Sequence, residues 1–74
     1  MSVGGHLSRM KLHDAWYDIQ TEITGHDVST QVFCAGAIVE TVRGACPPDG
    51  SPDDVRALAK RQHQQVCRDL VQRN

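Results

Sequence analysis

The sequence has no long apolar run, and this absence excludes membrane-spanning proteins at the start. No stretch approaches the roughly 20 apolar residues that a transmembrane helix needs. The opening segment, Met1-Ser2-Val3-Gly4-Gly5-His6, also lacks the apolar core of a secretion signal. We therefore expect a cytoplasmic protein that makes no membrane contact.

Cysteine is scarce, and its spacing excludes a disulfide framework. The chain has 3 cysteines, an odd number, at Cys34, Cys46 and Cys67. They are expected to be free thiols in a reducing compartment. Together with His63 they include ligand types that zinc uses, but no Cys-x-x-Cys pair is present and Cys34 lies in an apolar stretch. The sequence therefore predicts no metal site.

Catalytic motifs are also missing. The sequence contains no glycine-rich phosphate loop, serine elbow or paired-carboxylate signature. The formal net charge is -1, so the whole chain is not a general electrostatic binder of nucleic acid or membrane. We expect a protein that is not an enzyme and that has no cofactor.

The chain is short, and this limits its core. Its 74 residues make a single domain, 1–74, with residues 1–7 expected to form a flexible N-terminal arm. A domain of this size holds a thin core and often depends on a partner subunit. The sequence predicts an all-α domain, a three-helix bundle that associates with itself, with helices at about 8–24, 28–43 and 52–73.

The third helix has the clearest start. Ser51 is a good N-cap, Pro52 suits the first helical position, and Asp53 and Asp54 stabilise the positive end of the helix dipole. Basic residues dominate the rest of the helix, whereas acidic residues dominate the first 54 positions. The basic side chains are Arg56, Lys60, Arg61, Arg68 and Arg73.

The first helix is predicted from apolar residues that recur at helical spacing from Leu12 to Ile23, and Gly25 would end it. The same spacing would place three carboxylates in an acidic stripe on its surface, at Asp14, Asp18 and Glu22. Met10 and Tyr17 lie away from the apolar face and are candidates for exposed contacts.

The second predicted helix is apolar nearly all round, which is typical of a buried element. Two other helices in so small a protein would not cover it, so we expect it to pack against a second copy. The small residues 35–37 would allow close approach of another backbone. Replacing Ile38 or Val39 with Asp would then split a dimer or unfold the chain.

An α+β alternative rests on residues 17–34. Tyr17, Ile19, Thr21 and Ile23 alternate with polar residues, which is a strand pattern. Gly25-His26 would then turn a β-hairpin. The helical interpretation is preferred because its apolar spacing extends back to Leu12, where the alternation fails.

These patterns favour a small non-catalytic protein that binds and modulates another protein, as a regulator, inhibitor or adaptor, and that forms a homodimer. The candidate protein-binding residues are Met10, Asp14, Tyr17, Asp18, Glu22, Phe33 and Ile38. The alternative is a helix-turn-helix-like transcriptional regulator that binds nucleic acid through the basic third helix. Its candidate residues form one polar line, Arg61, Gln65, Arg68 and Gln72.

Overall fold

The computed structural model describes residues 5–73 and shows a four-stranded antiparallel sheet followed by one helix. The elements are β1 (His6–Leu12), β2 (Ala15–Thr24), β3 (Asp27–Cys34), β4 (Ala37–Ala45) and α1 (Pro52–Arg73). The strands lie in the sheet in sequence order, and α1 packs across one face, mainly against β2 and β3. Among the described residues, no helix or strand covers the other face.

The prediction of a three-helix all-α bundle is therefore wrong, because the described residues form four strands and one helix. The segment predicted as helix 8–24 forms most of β1 and all of β2, and the segment 28–43 forms most of β3 and β4. The alternative hairpin of residues 17–34 is present, because Tyr17 pairs with Cys34 and Thr24 pairs with Asp27.

The error has a physical cause in the spacing of the apolar residues. Positions four apart share a face in a helix, and they also share a face in a strand, where the period is two. Val28 and Val32 illustrate this, because they are four residues apart, lie on the same face of β3 and are both buried. Such a spacing predicts a common face without deciding which element carries it.

Three two-residue turns connect the strands. His13 and Asp14 have φ values of 48° and 65°, and Ala35 and Gly36 have φ values of 53° and 80°, as type I′ turns require. Gly25, with a φ value of 62°, occupies the first position of the turn from β2 to β3. Ala35-Gly36 is thus the β3–β4 turn, not a site where a second helix approaches.

The predicted self-association through an apolar second helix is also wrong in that form, because residues 28–43 contain no helix. The apolar residues divide between two environments. Val28 and Val32 are buried under α1, whereas Ile38 and Val39 on the edge strand β4 are 55% exposed. A β-bulge at Val32/Phe33 shifts the β3–β4 register beside them.

The predicted start of the third helix is confirmed. The Asp54 amide donates to the Ser51 hydroxyl at 3.1 Å, and the Ser51 amide donates to the Asp54 carboxylate at 3.1 Å. This reciprocal capping box satisfies backbone donors at the helix start. Within residues 5–73, no helix is both long and apolar enough to cross a membrane.

The core lies between the sheet and α1 and has two apolar clusters. Ile19, Val32, Val66 and Leu70 form one, and Val28, Val55 and Ala59 form the other. Between them lies a band of polar side chains, in which Thr21, Thr30 and His63 are buried. Apolar residues therefore hold both ends of α1 to the sheet, and polar residues hold its middle.

The predicted N-terminal arm, residues 1–7, overlaps this fold. β1 begins at His6, so His6 and Leu7 are paired with β2, opposite Thr21 and Gln20. Residues 1–4 lie outside the described residues.

Candidate functional site

The face of the sheet turned away from α1 is the main surface that the fold leaves uncovered, and we call it the open face. The strand alternation identifies its members, because each is next to a residue on the covered face. They are Leu7, Arg9, Lys11, Trp16, Asp18, Gln20, Glu22, Thr24, Asp27, Ser29, Gln31, Phe33, Ile38, Thr41, Arg43 and Ala45.

Large apolar side chains are exposed on this face. Leu7 is 71% exposed, Ile38 is 55% exposed and Trp16 is 51% exposed. Phe33 lies opposite Ile38 in the β3–β4 register and is half-buried. Side chains of this kind provide large contact areas when a second surface covers them.

A charged cluster occupies the β1–β2 side of the open face. The Arg9 guanidinium lies over the Trp16 ring, 4.9 Å from its centroid. The Arg9 Nε atom is also 3.5 Å from the Asp18 carboxylate, and Arg9 and Asp18 are cross-strand partners. Contacts on both sides limit the conformations of the Arg9 side chain, so the cation and the indole form one preorganised unit.

One row of cross-strand neighbours connects this cluster to the apolar side. From β1 to β4 the row runs through Arg9, Asp18, Phe33 and Ile38. Along this row the open face changes from charged at β1 and β2 to apolar at β3 and β4. The row therefore has a charged end and an apolar end, which would orient a molecule bound across it.

The predicted protein-binding residues fall into three places. Asp18, Glu22, Phe33 and Ile38 lie together on the open face. Asp14 lies in the β1–β2 turn, so the predicted helical stripe of three carboxylates does not exist as such. The remaining two, Met10 and Tyr17, are cross-strand partners on the covered face, where both pack partly buried against the core.

Leu7, Arg9 and Trp16 were missed as members of this surface. A signal was present in β1, where Leu7, Arg9 and Lys11 alternate with residues that face α1. The segment is short, and the boundary between the predicted arm, 1–7, and the predicted helix, from about residue 8, divides it. The alternation across that boundary therefore did not enter the prediction.

The buried polar band is the second feature of the molecule that contains hydrogen-bonding and titratable side chains. His63 on α1 lies with its Nε2 atom 2.7 Å from the Ser8 hydroxyl and its Nδ1 atom 2.8 Å from the Thr21 hydroxyl. The Thr21 hydroxyl is 2.7 Å from that of Thr30. The His6 ring lies beside His63, with 5.5 Å between centroids.

Two titratable groups in this band have shifted pKa values. Burial lowers the pKa of His63, and the neighbouring His6 lowers it further. Burial raises the pKa of the Cys67 thiol, which a hydrogen bond from Ser8 partly opposes. Both shifts favour the neutral side chain. A neutral thiol is a poor nucleophile, so Cys67 is not activated for catalysis.

The residues weighed as zinc ligands do not converge. Within the part of the chain that the structure describes, no three His, Cys, Asp or Glu side chains are grouped as a metal would require. Cys34, Cys46 and Cys67 are free thiols.

The predicted nucleic-acid line lies on the exposed side of α1. Arg61, Gln65, Arg68 and Gln72 are all exposed and share one stripe of the helix. Two of them interact with each other, because Arg68 donates to the Gln65 side-chain oxygen at 3.0 Å. Gln65 in turn donates to Asp69 at 2.8 Å, which places a carboxylate beside the line.

Comparison with known proteins gives no relative: no protein-family model, curated protein or solved structure matches the chain.

Proposed function

We propose that this chain is a small non-catalytic cytoplasmic protein that binds another protein through the open face and thereby modulates it. The observation that carries the proposal is the exposure of Leu7, Trp16 and Ile38 on a sheet face with no covering element. Phe33 lies opposite Ile38 and adds a second apolar side chain beside it, and exposed apolar patches are typical of protein-binding surfaces.

The distribution of charge supports a protein partner over nucleic acid for this face. Arg9, Lys11 and Arg43 are offset there by Asp18 and Glu22, so the surface has little net charge. A phosphate backbone requires an excess of cations. A protein surface with an apolar group opposite Phe33 and Ile38, and a carboxylate beside Arg9 and Lys11, would match the face better.

The first prediction tests this face by Ile38→Asp. Ile38 is exposed, so the variant is expected to fold, with a change in the free energy of unfolding within about 0.5 kcal/mol. A charge on the apolar side of the face should weaken partner binding at least about tenfold, which corresponds to 1.4 kcal/mol. The measurement is quantitative pull-down from native cytoplasm, with thermal unfolding as a check on folding.

Val71→Asp is the matched control, because Val71 is 51% exposed and lies on α1, away from the open face. Proteins captured by the wild-type chain should also bind this control and should be lost with Ile38→Asp. Equal capture by all three chains would refute the proposal. Light scattering that shows a dimer only in the wild type and the control would identify the partner as a second copy.

Nucleic-acid binding through α1 is the second candidate, favoured by the exposed stripe of Arg61, Gln65, Arg68 and Gln72. The second prediction is that Arg61→Glu combined with Arg68→Glu abolishes any binding of a random duplex in fluorescence anisotropy. Authentic binding by the wild type should also weaken steeply with added salt, because counterions are released. No binding at low salt would exclude this candidate.

A further inference from the structure

We infer that Gln62, Thr30, Thr21, His63 and Ser8 form one directional hydrogen-bond chain that holds His63 neutral with its proton on Nε2, and that protonation of His63 reverses the chain and loosens α1 from the sheet. The inference concerns the covered face and is independent of the proposed binding through the open face. It rests on four contacts between elements and on the number of hydrogens that each group can donate.

Gln62 fixes the direction of the chain. Its Nε2 atom lies 3.3 Å from the Val28 carbonyl and 3.2 Å from the Val42 carbonyl, which only accept. This atom is therefore the amide nitrogen and not the oxygen. It also lies 3.0 Å from the Thr30 hydroxyl, and because an amide nitrogen does not accept, Thr30 cannot donate its hydrogen to Gln62.

The remaining steps follow from one hydrogen per hydroxyl. Thr30 has no acceptor at Gln62 and gives its hydrogen to Thr21, and Thr21 gives its hydrogen to the His63 Nδ1 atom. With Nδ1 accepting, the neutral ring carries its proton on Nε2 and donates it to Ser8. Ser8 then donates to the Cys67 sulfur, which ends the chain.

The reverse direction does not satisfy the same groups. If Nδ1 carried a hydrogen, Thr21 would accept it and would donate to Thr30. Thr30 would then accept from Thr21, and its own buried hydrogen would have no acceptor in the chain, because the Gln62 nitrogen does not accept. Buried polar hydrogens in folded proteins nearly always have an acceptor, so the first direction is the favourable one.

Protonation forces that unfavourable direction. It places a hydrogen on Nδ1 against Thr21 and brings a charge into a site where His63 is only 6% exposed. The titratable groups around His63 are His6 from β1 and Cys67 from α1, while β2 and β3 present the threonines. A positive charge on His6 would add repulsion, and the neutral thiol offers no compensating anion.

The expected pH dependence follows from the lowered pKa of His63. The folded protein binds this proton less readily than the unfolded chain, so stability is unaffected above about pH 6.5 and is lost as the pH falls below it. For a domain of this size, the urea midpoint should fall by roughly 1 M for each unit by which the pKa is lowered.

The third prediction is tested directly by proton–nitrogen NMR of the imidazole rings in the wild-type chain. Near pH 7.5 the His63 ring should carry its proton on Nε2 and have a bare Nδ1. Its titration midpoint should lie below about 6.5. A proton on Nδ1, or a midpoint at or above that value, would overturn the inference without any variant having to fold.

A pair of variants tests the link to stability. His63→Gln keeps a donor and an acceptor but does not titrate, so its urea midpoint should change less between pH 7 and pH 5 than that of the wild type. His26→Gln, at the exposed β2–β3 turn, should retain the wild-type dependence. The same pH dependence in His63→Gln and the wild type would show that His63 is not the responsible group.

Discussion

Ile19→Ala is expected to lower the free energy of unfolding by about 2–5 kcal/mol, because it removes three heavy atoms from a fully buried site. Ile19 is 0% exposed and packs in the cluster of Val32, Val66 and Leu70, which joins the sheet to the C-terminal half of α1. A domain of this length has only about 4–11 kcal/mol in total. The variant should therefore lose a large fraction of its free energy of unfolding, which urea titration followed by circular dichroism would show as a much lower midpoint.

The chain offers a matched control in Ile38→Ala. The residue type and the substitution are the same, but Ile38 lies on the open face and is 55% exposed. Ile38→Ala should lower the free energy of unfolding by much less than Ile19→Ala does, since it removes little apolar area that folding had buried. Equal destabilisation by the two variants would contradict the assignment of which sheet face α1 covers.

The second large effect is expected from the contact between Gly44 and Gln62. A Cβ atom at Gly44 would overlap the Gln62 side-chain oxygen, so Gly44→Ala must displace that amide. The displaced amide would lose its bonds to the Val28 and Val42 carbonyls and to the Thr30 hydroxyl. Leaving buried groups of this kind unpaired costs about 1–3 kcal/mol.

A double-mutant cycle measures this coupling. Gln62→Ala alone is expected to cost about as much as Gly44→Ala, since either change breaks the same bonds. In the Gln62→Ala background the overlap is gone, and Gly44→Ala should be close to neutral or slightly stabilising, because Gly weakens a strand. If the two substitutions have additive effects on the free energy of unfolding in urea titration, the missing Cβ of Gly44 is not what makes room for the Gln62 side chain.

Part of the candidate surface could be predicted from the sequence, for a reason that does not depend on the element type. Asp18 and Glu22 were placed on one face, and they do share the open face of β2. A spacing of four residues gives that result in a helix and in a strand. Met10 and Tyr17 show the limit of this argument, because their seven-residue spacing was read as helical and they are in fact cross-strand partners.

The turns explain why the strands were missed. The β2–β3 turn contains Gly25, and this glycine supports the alternative prediction of a hairpin over residues 17–34. The β1–β2 turn is formed by His13 and Asp14, neither of which is the glycine that a type I′ turn favours, yet both adopt positive φ. With no glycine at that position, the helical spacing from Leu12 to Ile19 predicts one continuous face.

The start and extent of α1 follow from its local sequence alone. Ser51, Pro52 and Asp54 act within one helical turn, so the capping interactions are local and are encoded by neighbouring residues. The same locality makes the polar and apolar sides of α1 readable from its period alone.

The structure of residues 6–45 and of the buried polar band instead depends on contacts between elements that are distant in the sequence. Strand pairing is non-local, and the contacts of the band join residues far apart in sequence: Ser8 meets His63, and Gln62 meets Thr30. No local preference specifies such pairs. They form because α1 covers one face of the sheet, and each buried donor there must then find an acceptor on another element.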